Sequence, residues 1–299
     1  MDRLSQTETF VAVAEAESFT AAAERLGLSR AVVSKHVQAL EDRLGVKLLT
    51  RTTRRVRLTD AGRGYLDRGR RLLADFREAE TEARGERAAP RGILRVNGPV
   101  SFSRSRLGAA IPSFLDKCPD LTVELTVNDR MADLIEEGFD MAVRIGRLAD
   151  STLVARRLAE ISVLPVASPA YLSAHGIPTQ PEQLAAHSCL AYDYSEDSGI
   201  WRFSGPSGRT VAVRPRGRMR ANNGDVLVEA ALGGAGIAVQ PDFLLDGHLA
   251  TGRLVRVLPE WHYPTLALHA VHHQNRHTAA KVRAFVDHLV DWFSTGSGR

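Results

Sequence analysis

The chain has 299 residues, of which 44% are hydrophobic and 25% are charged, and its formal net charge is +4. This length is more than one hydrophobic core usually takes, so we expect two or three domains. The composition is too apolar for a disordered chain, and with no apolar run of about 18 residues and a polar start we expect neither a transmembrane helix nor a secretory signal. The two cysteines, Cys118 and Cys189, are too few for a disulfide framework, which favours a cytoplasmic location.

The positive charge is concentrated in one segment. Residues 25–71 carry 13 basic and four acidic side chains, whereas residues 90–299 carry 22 and 21. A localised basic block on a folded segment is typical of a polyanion binder, although a charge run alone also fits a solvated basic face.

The basic segment has the pattern of a helix-turn-helix. Helical spacing of apolar residues predicts a helix over residues 4–16, and a short alanine-rich helix follows over residues 21–26 with Thr20 as its cap. A third helix is predicted from Arg30 to Leu44 with Ser29 as its cap. Two helices joined by a short turn, with a basic second helix, predict DNA binding, and an ordinary helical hairpin is the alternative.

The third helix has two faces. Apolar residues at 4-3-4 spacing predict a stripe that faces the core: Val33, Val37, Leu40 and Leu44. The other face carries side chains that hydrogen-bond base edges and phosphates. With the preceding turn and cap, the candidate DNA contacts are Thr20, Ser29, Arg30, Ala31, Ser34, Lys35 and Gln38.

Two short strands, at residues 48–50 and 56–58, predict a hairpin after the third helix. Three of the five residues at its tip are arginines, which indicates a wing that reaches the phosphate backbone or a minor groove. A solvated turn is the alternative. The candidate wing contacts are Arg51, Thr52, Arg54 and Arg55.

A long fourth helix is predicted from about Asp60 to Arg87, with Thr59 as its cap. Residues at 4-3 spacing indicate a coiled-coil seam, and packing against its own domain is the alternative. A dimer suits DNA because two-fold protein symmetry matches two half-sites. The candidate dimer contacts are Tyr65, Leu72, Phe76 and Ala79.

The remaining 200 residues or so alternate strands and helices, which predicts an α/β region with parallel strands. The expected strands lie near residues 93–96, 121–127, 141–145, 163–167, 190–192, 218–221, 237–239 and 266–272. The expected helices lie near residues 107–115, 131–137, 225–232 and 282–293.

Several of these segments resemble the signature of LysR-type transcriptional regulators. The resemblance is dense over residues 1–66, in the segments 18–26, 33–37, 40–45 and 58–62. Residues 138–146, 167–172 and 234–238 are similar to the effector domain of the same family. Arg30 and Leu49 depart from the commonest family choices, which are often Gln and Phe.

The resemblance implies a multidomain chain: a winged helix-turn-helix, a long linker helix that dimerises, and a periplasmic-binding-protein-like (type II) α/β effector domain. It implies boundaries at residues 1–59, 60–89 and 90–299. Within the effector domain it implies subdomain I at about 92–162 plus 267–293 and subdomain II at about 163–266.

The resemblance also implies a small-molecule effector bound between these subdomains, with an anion as one candidate because hydroxyl and N–H groups follow the first strand. The implied pocket residues are Ser101, Phe102, Asn128, Arg144, Ile145, Asn222 and Gly236. Each has a structural alternative as a cap, turn residue or ion-pair partner. Gln240 either adds a pocket hydrogen bond or faces solvent.

No catalytic or metal site is predicted. The glycine-rich residues 233–236 follow a helix, the reverse of the order in a phosphate loop, and the histidines of residues 262–277 lack a Cys or carboxylate partner. We therefore predict a cytoplasmic transcriptional regulator without cofactor that binds double-stranded DNA, an effector and its own copies as dimers or tetramers, but no membrane. RNA polymerase is a candidate partner, and an enzyme or solute-binding protein with a DNA-binding appendage is the alternative.

Overall fold

The computed structural model describes residues 2–51, 56–83, 89–130, 133–146, 148, 153–194, 199–273 and 280–295. The chain divides into two compact units, Met1–Ala88 and Ala89–Arg299. Within the described ranges, every helix is too short or too polar to cross a lipid bilayer.

The first unit contains four helices and one small hairpin in its described part. Its elements are α1 (Arg3–Ala16), α2 (Phe19–Leu26), α3 (Arg30–Leu44), β1 (Leu49–Arg51), β2 (Val56–Leu58) and α4 (Asp60–Ala83). The two strands pair antiparallel. The predicted helix-turn-helix, hairpin and long helix are therefore confirmed, and the predicted end of the long helix at Arg87 lies outside the described residues.

The caps of the first unit agree with the sequence in two of three cases. Ser29 accepts a hydrogen bond from Val32 N at 3.3 Å, and Thr59 Oγ1 accepts one from Gly62 N at 2.9 Å. The prediction that Thr20 caps α2 is wrong, because Ser18 Oγ accepts from Ala21 N at 3.3 Å. The helix thus starts one residue before Thr20 and includes the buried Phe19.

One continuous core holds the first unit together. Phe10 of α1 lies in it with the predicted stripe of α3, whose Val33, Val37 and Leu40 are fully buried. Leu44 is 36% exposed, so its place in the stripe was wrongly predicted. It is the last residue of α3 before Gly45 turns the chain away.

The second unit contains two sheets with helices around them. Its elements are β3 (Gly92–Gly98), α5 (Val100–Phe102), a π-helical turn (Ser103–Leu107), α6 (Gly108–Leu115), β4 (Leu121–Val127), β5 (Met141–Ile145), β6 (Leu153–Ile161), β7 (Val163–Ala167), α7 (Pro169–His175), a 3-10 helix (Pro181–Ala186), β8 (Cys189–Tyr192), β9 (Trp201–Ser204), a 3-10 turn (Pro206–Gly208), β10 (Thr210–Val213), β11 (Arg220–Ala221), α8 (Gly224–Leu232), β12 (Ile237–Pro241), a 3-10 turn (Asp242–Leu244), α9 (Asp246–Ala250), β13 (Val255–Arg256), β14 (Leu266–His273) and α10 (Ala280–Ser294).

The two five-stranded sheets share one design. The first has the order β4-β3-β5-β14-β6, and the second has the order β11-β8-β12-β7-β13. In each sheet the first three strands are parallel and the last two run antiparallel to their neighbours. The expected parallel strands are therefore confirmed in both sheets, and the antiparallel strands that make the sheets mixed were not predicted.

The sheets divide the second unit between two subdomains. Residues 92–161 and 266–273 supply the first sheet, whose core packs against α6 and α10 through Phe114, Phe285 and Leu289. Residues 163–256 supply the second sheet, whose inner face packs against α8. Of the predicted effector residues, Asn128 and Asn222 directly follow parallel strands, and Arg144 and Ile145 are the last two residues of β5.

In the second unit, one predicted helix is wrong and several elements were not predicted from the sequence. The helix predicted over residues 131–137 is a turn in its described part, where Asp133 Oδ1 accepts from the N–H groups of Ile135 and Glu136. Asp133 thus caps a single turn, and Gly138 in the left-handed conformation ends that turn before a helix can continue. The sequence did not predict β6, β9, β10, β13, α7 or α9.

Candidate DNA-binding and effector-binding sites

The outward face of α3 carries the predicted DNA contacts. Arg30, Ala31, Lys35 and Gln38 are exposed, as are Thr20 and Ser29, and Ser34 is half-buried. The first acidic residue of the helix, Glu41, is turned inward and is only 5% exposed. The exposed face is therefore free of negative charge over the first three turns, up to Asp42.

Gln38 makes contacts within its own unit. Its Nε2 donates to Asp42 Oδ1 at 2.7 Å, and Lys47 Nζ donates to its Oε1 at 3.4 Å. A base contact from Gln38 therefore requires that its amide leave Asp42.

Glu41 fixes the hairpin to α3. Its Oε1 accepts hydrogen bonds from Leu48 N at 2.9 Å and Leu49 N at 3.0 Å, and its Oε2 lies 2.8 Å from Lys47 Nζ. Burial raises the pKa of this carboxyl, but the Lys47 ammonium and the two N–H groups outweigh burial and leave the pKa below its ordinary value. The charged carboxylate thus holds β1 beside α3.

The tip of the hairpin lies mostly outside the described residues. Arg51 ends β1 and is the register partner of Val56 in β2. Thr52, Arg54 and Arg55 lie outside the described residues. Their assignment to DNA therefore remains a prediction.

The side chains predicted to form the dimer seam on α4 do not all lie on the same surface of the helix. Tyr65 packs inside its own unit, with its ring edge-on to Phe10 at 5.4 Å and its hydroxyl 3.0 Å from Thr7 Oγ1. Leu72 and Phe76 are 53% and 45% exposed. The side chain of Ala79 lies outside the described residues.

A groove runs beside these two apolar side chains, with a volume of about 500 Å³. It is lined by Asp2, Arg3, Leu4, Thr7, Arg43, Tyr65, Leu72 and Phe76. Tyr65 thus belongs both to the core and to the wall of the groove. Tyr65 therefore packs within its own unit while Leu72 and Phe76 protrude from it, and pairing through these residues remains a prediction.

Ser101 is the predicted effector residue with the most contacts between the two sheets. It is 6% exposed, and its Oγ donates to Asp225 Oδ2 at 2.7 Å and accepts from Asn223 Nδ2 at 3.3 Å. Asn223 and Asp225 stand at the start of α8, in the other subdomain. The structure therefore places Ser101 where the two subdomains meet.

Asn128 and Arg144 keep unpartnered polar atoms beneath the surface. Asn128 follows β4, and its N–H donates to Gly98 O at 3.0 Å. Arg144 Nη1 donates to Asn97 Oδ1 at 2.5 Å. Among the described residues, Asn128 Oδ1 and Arg144 Nη2 have no hydrogen-bond partner. Burial lowers the pKa of the Arg144 guanidinium, and the charge of Glu137 acts in the opposite direction.

Four predicted pocket residues have other surroundings. Phe102 is 3% exposed and packs on Phe243 at 5.3 Å, and Ile145 packs against the core of the first sheet. Gly236 lies against the Ser188 carbonyl, so close that a β-carbon there would be 2.3 Å from that oxygen. Asn222 is exposed and donates to the Tyr194 hydroxyl at 3.5 Å. Phe102, Ile145 and Gly236 therefore act in packing here.

Sequence reasoning missed the acidic and amide residues around Ser101. These are Asp129, Asn223 and Asp225. Asn223 caps α8 by accepting from Val226 N at 3.3 Å, a local role that its sequence position at a helix start does signal. Gln240 is 2% exposed, which excludes the alternative that it faces solvent.

The comparisons with known proteins cover both units. The family model described as bacterial regulatory helix-turn-helix protein, lysR family, matches residues 4–63, and the LysR substrate binding domain model matches residues 87–294. The transcriptional regulator PtxR of Pseudomonas aeruginosa is 38% identical over 288 residues, which are 96% of this chain and 91% of PtxR.

Two solved full-length structures are also similar. CrgA of Neisseria meningitidis, a LysR-type transcriptional regulator, is 33% identical with a TM-score of 0.61, covering 97% of this chain and 98% of CrgA. The Vibrio cholerae virulence activator AphB is 30% identical with a TM-score of 0.61, covering 98% of this chain and 100% of AphB.

A helix-turn-helix with a paired wing, followed by an effector-binding domain of two mixed sheets, defines a DNA-binding transcriptional regulator. The chain belongs to the LysR family. The alternative of an enzyme with a DNA-binding appendage is rejected, because the relatives are regulators of transcription.

Proposed function

We propose that this protein regulates a promoter by placing α3 in the major groove, and that a small molecule bound between its two sheets modulates this contact. The observation that supports DNA binding is the exposed face of α3, which presents Arg30 and Lys35 without a neighbouring acidic side chain. Basic side chains on a helix of this motif bind phosphates and base edges.

We assign the proposed DNA contacts according to the element on which each residue lies. Base and phosphate contacts come from α3 through Arg30, Ala31, Ser34, Lys35 and Gln38. Thr20 and Ser29 contact the backbone at the preceding helix and cap. Wing contacts come from Arg51, Thr52, Arg54 and Arg55.

The effector is proposed to contact Ser101, Asn128, Arg144 and Asn222 at the strand ends. The unpartnered atoms Asn128 Oδ1 and Arg144 Nη2 support a ligand that both donates and accepts hydrogen bonds. Phe102, Ile145 and Gly236 support this pocket through packing.

Pairing of copies through Leu72, Phe76 and Ala79 is proposed to present two recognition helices to two half-sites. Two apolar side chains beside a groove favour burial by a second copy. We extend the proposal to tetramers built from such dimers, to action in the cytoplasm and to contact with RNA polymerase at the promoter.

The DNA-binding proposal is tested with sequences selected from a random duplex pool by the wild-type protein. Lys35→Ala combined with Arg54→Ala should abolish retention of the selected duplex in a gel-shift assay, and each lost phosphate contact should reduce the salt slope by about one. Lys117→Ala removes one positive charge from an exposed position of the second unit and should leave binding unchanged. Equal binding by the double variant and the wild type contradicts the assignment.

A further inference from the structure

A network of polar side chains connects the two subdomains at the start of α5 and of α8. Ser101 Oγ donates to Asp225 Oδ2 at 2.7 Å, and Asn223 Nδ2 donates to Asp129 Oδ2 at 2.8 Å. Arg104 Nη2 pairs with the other oxygen of Asp225. Each of these contacts joins residues that are at least 94 positions apart in the chain.

The two carboxylates of this network accept hydrogen bonds from donors of the kind that would bind an anionic ligand. Asp129 Oδ1 accepts the N–H of Val100 at 3.0 Å, and Asp225 takes the Ser101 hydroxyl and the Arg104 guanidinium. Charge-assisted hydrogen bonds of this kind are stronger than neutral ones. The protein thus satisfies these donors with its own side chains.

The carboxylate of Asp225 is bound by the first subdomain in the way that the carboxylate of a ligand would be. Its two oxygens go to two different donors of the first subdomain, while its backbone belongs to the first turn of α8 in the second. The side chain of Asp225 is 31% exposed, so a small solute can reach it. Asp129 crosses to Asn223 through Oδ2 alone, because its Oδ1 is held by Val100 of its own subdomain, whereas both oxygens of Asp225 are bound by the other subdomain.

Two buried side chains beside this contact have spare hydrogen-bonding capacity. Ser103 is 3% exposed and Gln240 is 2% exposed, and within the described part of the chain Ser103 Oγ and Gln240 Nε2 have no partner. Ser103 lies against Gly98 at the end of β3, and Gln240 lies against Gly224 at the start of α8. Buried polar groups without a partner are rare in proteins and favour a ligand at this place.

We propose that Asp225 is a tethered carboxylate that holds the two subdomains together through Ser101 and Arg104, and that a carboxylate-bearing effector acts by taking its place. This inference rests on the proposed function, because it concerns the effector cleft. It adds the chemistry of the exchange: one carboxylate leaves the Ser101 hydroxyl and the Arg104 guanidinium as another arrives, so the contact that Asp225 makes between the subdomains is lost when the effector binds.

The test replaces the tethered carboxylate by a free one. In full-length Asp225→Ala the second unit should unfold at a lower temperature than in the wild type. Sodium acetate should then raise that temperature by about 2 to 4 °C relative to sodium chloride of equal ionic strength, since a ligand that binds only the folded state stabilises it. All three tryptophans of the chain, Trp201, Trp261 and Trp292, lie in the second unit, so their fluorescence reports its unfolding alone.

Two further variants make the acetate effect specific. Ser101→Ala combined with Asp225→Ala should lose most of it, because the hydroxyl donor is gone. Asp246→Ala breaks a different contact between the subdomains, the Arg106–Asp246 pair at 2.9 Å, and should respond to acetate no more than the wild type does. Equal effects of acetate and chloride on Asp225→Ala overturn the proposal.

A distance measurement keeps the proposal testable if Asp225→Ala does not fold. Spin labels at Asp116→Cys and Arg253→Cys, both exposed and in different subdomains, should report longer distances in Asp225→Asn than with Asp225 intact. An unchanged distance distribution overturns the tether. Rescue by acetate together with DNA binding that no carboxylate alters would support the tether and contradict the effector role, so the two proposals fail separately.

Discussion

At the scale of single residues, Glu41 shows how a buried carboxylate can stabilise the fold when its oxygens are hydrogen-bonded. Its three partners are the two N–H groups at the start of the hairpin and the Lys47 ammonium. A neutral side chain cannot satisfy all three equally, because charged acceptors bind N–H donors more strongly. Glu41 therefore keeps its charge away from the exposed face of α3 and also fixes the start of the hairpin.

Glu41→Gln should destabilise the first unit at neutral pH by about 1 to 3 kcal/mol, since it weakens buried hydrogen bonds. The folded-state pKa lies below the unfolded one, so the contribution of Glu41 is fully present above the unfolded pKa and is lost as pH falls through the folded pKa. The difference between variant and wild type should accordingly shrink below about pH 4.

Hydrogen exchange of the Leu48 and Leu49 amides measures this effect directly. Glu24→Gln, at an exposed position of α2, is the matched control and should leave their protection unchanged. A Glu41→Gln deficit that stays constant down to pH 3 or so would contradict the ionised form as the stabilising one.

At the scale of elements, the start of α4 is fitted closely to the hairpin. Thr59 N and Oγ1 both donate to the Leu48 carbonyl, at 3.0 and 3.2 Å. A β-carbon on Gly62 would lie 2.0 Å from that same oxygen, whereas one on Gly64 would meet nothing within 4 Å. The two glycines are thus two residues apart on one helix, but only Gly62 lacks room for a β-carbon.

Gly62→Ala should destabilise the first unit by about 1 to 3 kcal/mol through overpacking against backbone. Gly64→Ala should stabilise it by about 0.5 to 1 kcal/mol, because alanine is the better helix former. Chemical unfolding followed by circular dichroism gives both values. Equal effects of the two substitutions would show that the Leu48 carbonyl does not limit this position.

The protruding pair on α4 gives a second prediction at this scale. Phe76→Lys should halve the mass of the assembly in sedimentation measurements, because a buried lysine charge opposes pairing. Ala74→Lys adds the same charge at an exposed position of the same helix and should leave the mass unchanged. A wild-type mass for Phe76→Lys would exclude Phe76 from the contact between copies.

The elements that the sequence predicted well are those with local signals. Periodicity and the cap at Ser29 were sufficient for α3, whereas β6 was missed because Val154, Ala155, Arg156 and Arg157 are all exposed and give no alternation. Ser101 was found through family resemblance. Its partner Asp225 was missed because the two residues lie 124 positions apart, and no local pattern encodes such a contact.

At the scale of the whole molecule, the charge separates the two units. The segment 25–71 holds nine excess positive charges, and residues 90–299 hold one. A polyanion surface should therefore be recognised by the first unit almost alone.

A fragment of residues 90–299 should elute from immobilised heparin at a far lower salt concentration than the full chain, because counterion release scales with the number of contacts. The full chain carrying Lys117→Ala serves as a control and should elute with the wild type. Retention of the fragment at wild-type salt concentration would place polyanion affinity in the second unit.

The path of the chain between the two sheets has a mechanical consequence. Ser162 alone separates β6 from β7, and its carbonyl accepts the Asp242 N–H at 2.9 Å. The chain returns into β14 at Leu266, which is the register partner of Ile161, so both crossings lie side by side. Because the two covalent crossings are adjacent, we expect the sheets to rotate about the line through them rather than to slide along each other. We therefore expect a molecule bound between the sheets to change the angle between them.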